Sequence, residues 1–147
     1  LAKDWQFMQS IDIDMVGMGP YSEHIDTPLY HNKSLLLPIE QRHYLSLKMI
    51  AIIPIKMKES NIAATTALQA ITPDGRETAI RVGANVIMPN ITPLNYKDMY
   101  KLYENKPTVR QDSYDELQNL ITSVNSTNNY IVLNEWGDSL HYKKKSN

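Results

Sequence analysis

The sequence predicts an α/β protein, a parallel sheet with helices outside it, on three observations. Strand-like and helix-like segments alternate in the order β, connection, α, β, α, β, α, α, the succession produced by parallel strands with crossover helices. Asn85 to Met88 (NVIM) is almost wholly apolar, the pattern of a strand covered on both faces. Thr72-Pro73 and Thr92-Pro93 each set a capping residue before a proline, a pairing that starts helices because the missing N–H costs nothing in the first turn. About three strands are found, too few to close their own edges. The pattern is that of a partial TIM-type (β/α)8 barrel, a C-terminal half with about three parallel strands flanked by helices.

In chain order, Leu1 to Gln9 reads as the last turns of a helix, so an N-terminal part of a longer protein is expected before it. Ile11 to Met18 (IDIDMVGM) is a β-run punctuated by Gly19-Pro20. Tyr21 to Leu37 is a polar connection longer than most loops and reads as a lid. A helix then begins with Pro38 in its first turn. Leu45, Met49 and Ile52 form its buried stripe, Glu40, Gln41, Arg42 and Lys48 its wet face, and Pro54 kinks or ends it.

Asn61 to Leu68 is the next strand, followed by a helix from Thr72-Pro73 to Gly83. After the strand NVIM, Thr92-Pro93 starts a helix with Tyr96, Met99, Tyr100 and Tyr103 on one face. Ser113 to Val124 is a last amphipathic helix and Tyr130 to Leu133 a short strand. HYKKKSN reads as a C-terminus whose lysines are a solvated tail.

Composition narrows the function classes. Fifteen Lys and Arg face sixteen Asp and Glu, a formal charge of −1, so no global field draws in nucleic acid or an anionic membrane. The chain has no cysteine, which excludes disulfides, a thiol nucleophile and a thiolate-held cluster within it. No apolar run reaches the roughly 18 residues of a membrane span, and no signal peptide opens the chain, so a cytoplasmic location is the default.

Three motifs, DMVGMGPYSEHIDTPL (Asp14 to Leu29), NIAATTALQAITPDGRETAIRVGANVIMPNITP (Asn61 to Pro93) and EWGDS (Glu135 to Ser139), together resemble the C-terminal half of the HydE family. These are radical S-adenosylmethionine (SAM) enzymes of [FeFe]-hydrogenase maturation, in the biotin synthase-like group. The resemblance covers nearly the whole chain and keeps the motifs in order. It implies that residues 1–147 are a C-terminal, BATS-like half-barrel of a radical SAM domain, with Asn61 to Pro93 as its sixth and seventh strand units. The N-terminal half, with the CxxxCxxC loop that holds a [4Fe-4S] cluster, is absent here.

The implied function is processing of a cysteine-bound iron carbonyl cyanide precursor during assembly of the hydrogenase cluster. The implied partners are the N-terminal half, that small iron complex and the other hydrogenase maturases. SAM and the cluster belong to the full-length protein, neither being held by this chain alone. The chain departs from the family pattern at Tyr21-Ser22-Glu23, at Ile25 before Asp-Thr-Pro and at Leu140 after Asp-Ser, positions that bear on the lid and tail.

The resemblance assigns Thr65 and Thr66 to a substrate cavity, as hydroxyl donors to an anionic or polar group, against the plain reading that β-branched residues suit a strand. Met88 and Tyr103 become cavity walls opposite each other, and Tyr100 lies nearer SAM, whereas methionines and tyrosine stripes are otherwise packing. Met15 and Met18, toward the end of the first strand among Gly17 and Gly19, are the SAM-side residues, one of the two touching the cofactor; glycine there permits close approach of a flat group.

Asp26-Thr27-Pro28 is a lid turn with the aspartate capping its own backbone. His24, His31, His43 and His141 lack metal-ligand spacing and read as surface or lid residues; Asp12 and Asp14 read as strand-surface charges. No catalytic residue and no metal ligand is assigned to this chain.

Two rivals remain at this point. A biotin synthase-like or methylornithine synthase-like enzyme keeps the chemistry and changes the substrate, and a non-radical half-barrel binding or scaffold module changes the class. For the chain alone the reading predicts no SAM cleavage, marginal stability and association through its open strands.

Overall fold

A computed structural model describes residues 1–97, 99 and 113–145. Strands β1 (Met15–Met18) and β2 (Asn61–Ala64) pair in parallel, Met15 opposite Asn61 and Met18 opposite Ala64. The expected third strand joins in the expected parallel sense, but at a single bridge, Ala63 to Val86. Its amides at Asn85 and Val86 both reach the Ile62 carbonyl at 3.0 Å, and Ala64 N–H reaches Val86 O at 2.8 Å. Before Val86 the ladder goes no further because the Asn85 side chain takes the Ile62 amide at 2.7 Å. The architecture is thus α/β around a short parallel sheet.

Alternation along the strands separates two faces. Val16, Ile62 and Ala64 turn toward the helices and are at most 3% exposed. There they meet Ile50 and Ile53 of α2 (Ile39–Lys56), Leu68 of α3 (Thr66–Ile71) and Ala79 of α4 (Gly75–Val82). Ile50, Ile53, Ile62 and Leu68 are the largest fully buried side chains, each worth about 2 kcal/mol of burial. Met15 and Gly17 lie on the opposite, uncovered face.

The helix α1 (Ala2–Ser10) matches its expectation to within a residue. The strand after it begins at Met15 rather than Ile11, because Ile11 and Asp12 still donate to Phe7 and Gln9 and Asp12 turns the chain at φ 54°. In α2 the buried stripe is Met49, Ile50 and Ile53, and Ile52 is 43% exposed. Ile50, Ile52, Ile53 and Ile55 make this helix apolar on more than one face, so period alone did not choose the stripe. The helix runs two residues past Pro54 and closes where Met57 N–H reaches Ile53 O.

β2 ends at Ala64, not Leu68. Thr65, at φ −79° and ψ 151°, stands before α3, and Thr66 is its first residue. Thr72-Pro73 falls between α3 and α4 instead of opening one long helix, and α4 ends at Gly83, φ 133°. At the α3–α4 junction a Cβ on Gly75 would lie 2.3 Å from the Leu68 carbonyl oxygen, so only glycine lets the two helices approach this closely.

Further along, α5 (Leu94–Lys97) follows Thr92-Pro93 directly, and α6 (Ser113–Asn125) buries Leu120 and Val124. Tyr130 to Leu133 forms no strand, and Tyr130 is 78% exposed. The lysines expected as a solvated tail lie in a helix, α7 (Leu140–Lys145). Among the described residues no helix is long and apolar enough to cross a membrane.

Candidate functional site

The C-terminal ends of parallel strands are where such sheets place ligands, because the chain leaves them in loops whose backbone groups are unpaired. Here those ends are Met18-Gly19 after β1 and Thr65-Thr66 after β2, and the structure brings them into contact. The Thr65 hydroxyl donates to the Met18 carbonyl at 3.0 Å, completing the ladder one residue past its backbone limit. Gly19 makes the approach possible: a Cβ there would lie 2.6 Å from Thr65 Oγ1 and 3.0 Å from Ala67 Cβ. With its proton committed, Thr65 offers a ligand only its remaining lone pairs.

On the face away from the helices the row across the sheet is Gly17, Ala63 and, through its bridge, Val86, with Gly17 exposed and Ala63 fully buried. A Cβ on Gly17 would meet nothing within 4 Å. The exposed backbone at Gly17 leaves room for the edge of a planar or apolar group such as the adenosyl part of SAM. A [4Fe-4S] cluster does not fit the donors of this chain, which has no cysteine. Among the described residues no group of three or more His, Asp and Glu side chains converges to hold a metal ion.

Met15 and Met18 stand at opposite ends and on opposite faces of β1. Met15 is its first residue, 42% exposed on the open face, and Met18 is its last, packed against the helix-side core. Met88 lies two residues past the bridge at Val86 and is 55% exposed. Thr66 opens α3, half-buried. Tyr96 is exposed on α5; Tyr100 and Tyr103 fall outside the described residues. The third motif is gathered to the same strand, since Asn61, first in β2, donates from Nδ2 to the Gly137 carbonyl at 2.7 Å.

The connection that leaves Gly19-Pro20 is tied down at its start. Arg42, expected on the wet face of α2, donates from Nη1 to the Tyr21 carbonyl and from Nη2 to Glu23 Oε1, each at 2.5 Å, and Arg42 holds the Glu23 carboxyl below the usual range. The Asp26 turn is closed by its neighbours, not by its own carboxylate. Thr27 Oγ1 donates to His24 O at 2.7 Å, and Asp26 N–H donates to His24 Nδ1 at 3.2 Å. Residues 30–35 form a 3-10 helix.

Sequence reasoning missed Arg42, whose partners lie 19 and 21 residues away. It also missed the joining of His141 to Asp12 and Asp14, separations for which no local spacing gives a signal.

No family model matches the chain. Among curated proteins it is similar to the [FeFe] hydrogenase maturase subunit HydE of Thermotoga maritima, 47% identical over 106 residues. That match takes in 72% of this chain and 29% of the relative, so the chain spans less than a third of that protein's length. By sequence, the chain is a HydE-like segment.

Proposed function

We propose that residues 1–147 serve as the C-terminal half of a (β/α)8 barrel in a radical SAM maturase of the HydE type, supplying most of a substrate cavity and part of the SAM site. The observation that carries this reading is the meeting of Met18-Gly19 with Thr65 at the ends of parallel strands, beside the exposed backbone at Gly17. The name of the Thermotoga maritima relative, a hydrogenase maturase subunit, supports the direction of the chemistry.

In this reading SAM, bound beside a reduced [4Fe-4S] cluster held by the N-terminal half, supplies carbon-radical chemistry. The chain's own residues would bind and enclose. The exposed backbone at Gly17 would accept the flat adenosyl group, with Met15 on the same face and Tyr100 around it, while Met18 would reach SAM only through its backbone at the strand end. Thr66 would donate to a polar or anionic edge of an iron carbonyl cyanide substrate, and Thr65, its proton held by Met18, would line that edge and accept from it. Met88 and Tyr103 would wall the chamber and exclude water, which a reactive radical requires. The other hydrogenase maturases would be the partners.

Gly17→Leu tests the site directly. A Cβ there meets nothing within 4 Å and leucine is tolerated in a strand, so the fold should survive it while the space over Gly17 is filled. In the longer protein carrying this segment, SAM binding measured by calorimetry should weaken at least tenfold, with the melting temperature unchanged. Unaltered SAM affinity in a folded Gly17→Leu protein would overturn the placement.

A further inference from the structure

At the other end of the sheet, where β1 and β2 begin, the chain closes on itself through charge. Ser139, 4% exposed, accepts the Tyr142 amide at 3.0 Å and so starts α7. The His141 backbone amide reaches the Glu59 carbonyl at 3.1 Å. Its ring then sits between two carboxylates, Nδ1 at 2.6 Å from Asp14 Oδ1 and Nε2 at 2.9 Å from Asp12 Oδ1. Lys145 completes the contact, 2.9 Å from Asp12 Oδ2, 3.4 Å from Asp14 Oδ1 and 2.7 Å from the Asp12 carbonyl. Lys144 pairs with Glu59.

We propose that α7 is a pH-sensitive clasp across the N-terminal end of the sheet, closed while the His141 ring carries both its protons. The argument is one of donors and acceptors. An ionised carboxylate only accepts, and a neutral imidazole has one N–H to give. With a carboxylate oxygen at each ring nitrogen, only the doubly protonated ring satisfies both contacts. Loss of one proton sets a nitrogen lone pair against an anionic oxygen. The ring is 24% exposed, so solvent protons reach it.

The surrounding charges keep the two carboxylates ionised. Lys145 and then His141 hold the Asp12 carboxyl below its usual range, and His141 and then Lys145 do the same for Asp14. Asp12 in turn raises Lys145. Glu59 adds a third carboxylate on the facing loop, and Lys144 pairs with it. Lys56 and Lys58 line the same cavity, of about 370 Å³, as the ring. Carboxylates with lowered pKa stay charged as pH falls through their ordinary range, near 4. The clasp is therefore closed while the ring holds both protons and loosens once pH rises far enough to remove one of them. Loosening frees α7 and uncovers that cavity, whose wall includes Ile13, Met57 and Ser60.

Amide hydrogen exchange on the full protein tests this, with rates corrected for intrinsic pH dependence. Between pH 5.5 and pH 8, protection of residues 140–145 should fall about tenfold while that of α2 holds, and in His141→Gln it should be low and flat with pH. Flat protection in the wild type, equal loss in α2, or a wild-type pH response in His141→Gln would each overturn the proposal. Should the variant fold poorly, the wild-type profile of residues 140–145 against α2 decides alone.

Discussion

The two ends of the same pair of strands are closed in opposite ways. Where β1 and β2 finish, one neutral hydroxyl contact, from Thr65 to Met18, and a missing side chain at Gly19 hold them together. Where they begin, His141, Lys145 and two aspartates do so with charge. The difference follows from what each end has to leave free. On the proposed function, a ligand approaching the C-terminal end would need bare backbone and small residues, and fixed ion pairs there would compete for its polar groups. The charged N-terminal end carries no such demand in that reading.

Substitutions break this comparison in graded steps. The largest effect is expected from Ile62→Ala, because Ile62 is 1% exposed and lies in the core that underlies both ends. Chemical denaturation should show a loss of about 2–4 kcal/mol. Next comes Gly19→Ala, which drives a methyl group into Thr65 Oγ1 and breaks only the C-terminal closure. A loss of about 1–3 kcal/mol is expected. Adding Thr65→Ala should restore part of it, since the clashing oxygen is then gone, and strict additivity of the two changes would show that they do not touch.

The smallest effect is that of Asp14→Asn, confined to the exposed ionic end. Because the folded carboxyl is held below its ordinary range, its contribution is present above the unfolded value and disappears as pH falls through the folded one. The melting temperature of Asp14→Asn should thus lie below that of the wild type at pH 6, by less than in Gly19→Ala, and converge with it in strong acid.

What was legible in the sequence was what local chemistry decides. The start of α5 after Thr92-Pro93, the end of α4 at Gly83 and the span of α6 each depend on signals within a turn or two. The third strand was legible in kind and direction but not in extent. Its shortening depends on an Asn85 side chain replacing a backbone acceptor for Ile62. In the candidate site, the motifs around Gly19 and Thr65 name two strand ends that the structure brings into contact. Their contact, however, depends on the register of two strands 46 positions apart. The apolar surplus of α2 hid which isoleucines are buried, and the role of His141 in closing the sheet was invisible because its partners lie across nearly the whole chain.

That span bears on the order in which the molecule assembles. The contact from His141 to Asp14 closes a separation of 127 residues, and that from Lys145 to Asp12 closes one of 133. Loop-closure entropy of this size opposes such contacts until intervening elements have folded and brought the ends near. A clasp that forms late in this way would contribute mainly slower unfolding, with little change in the folding rate.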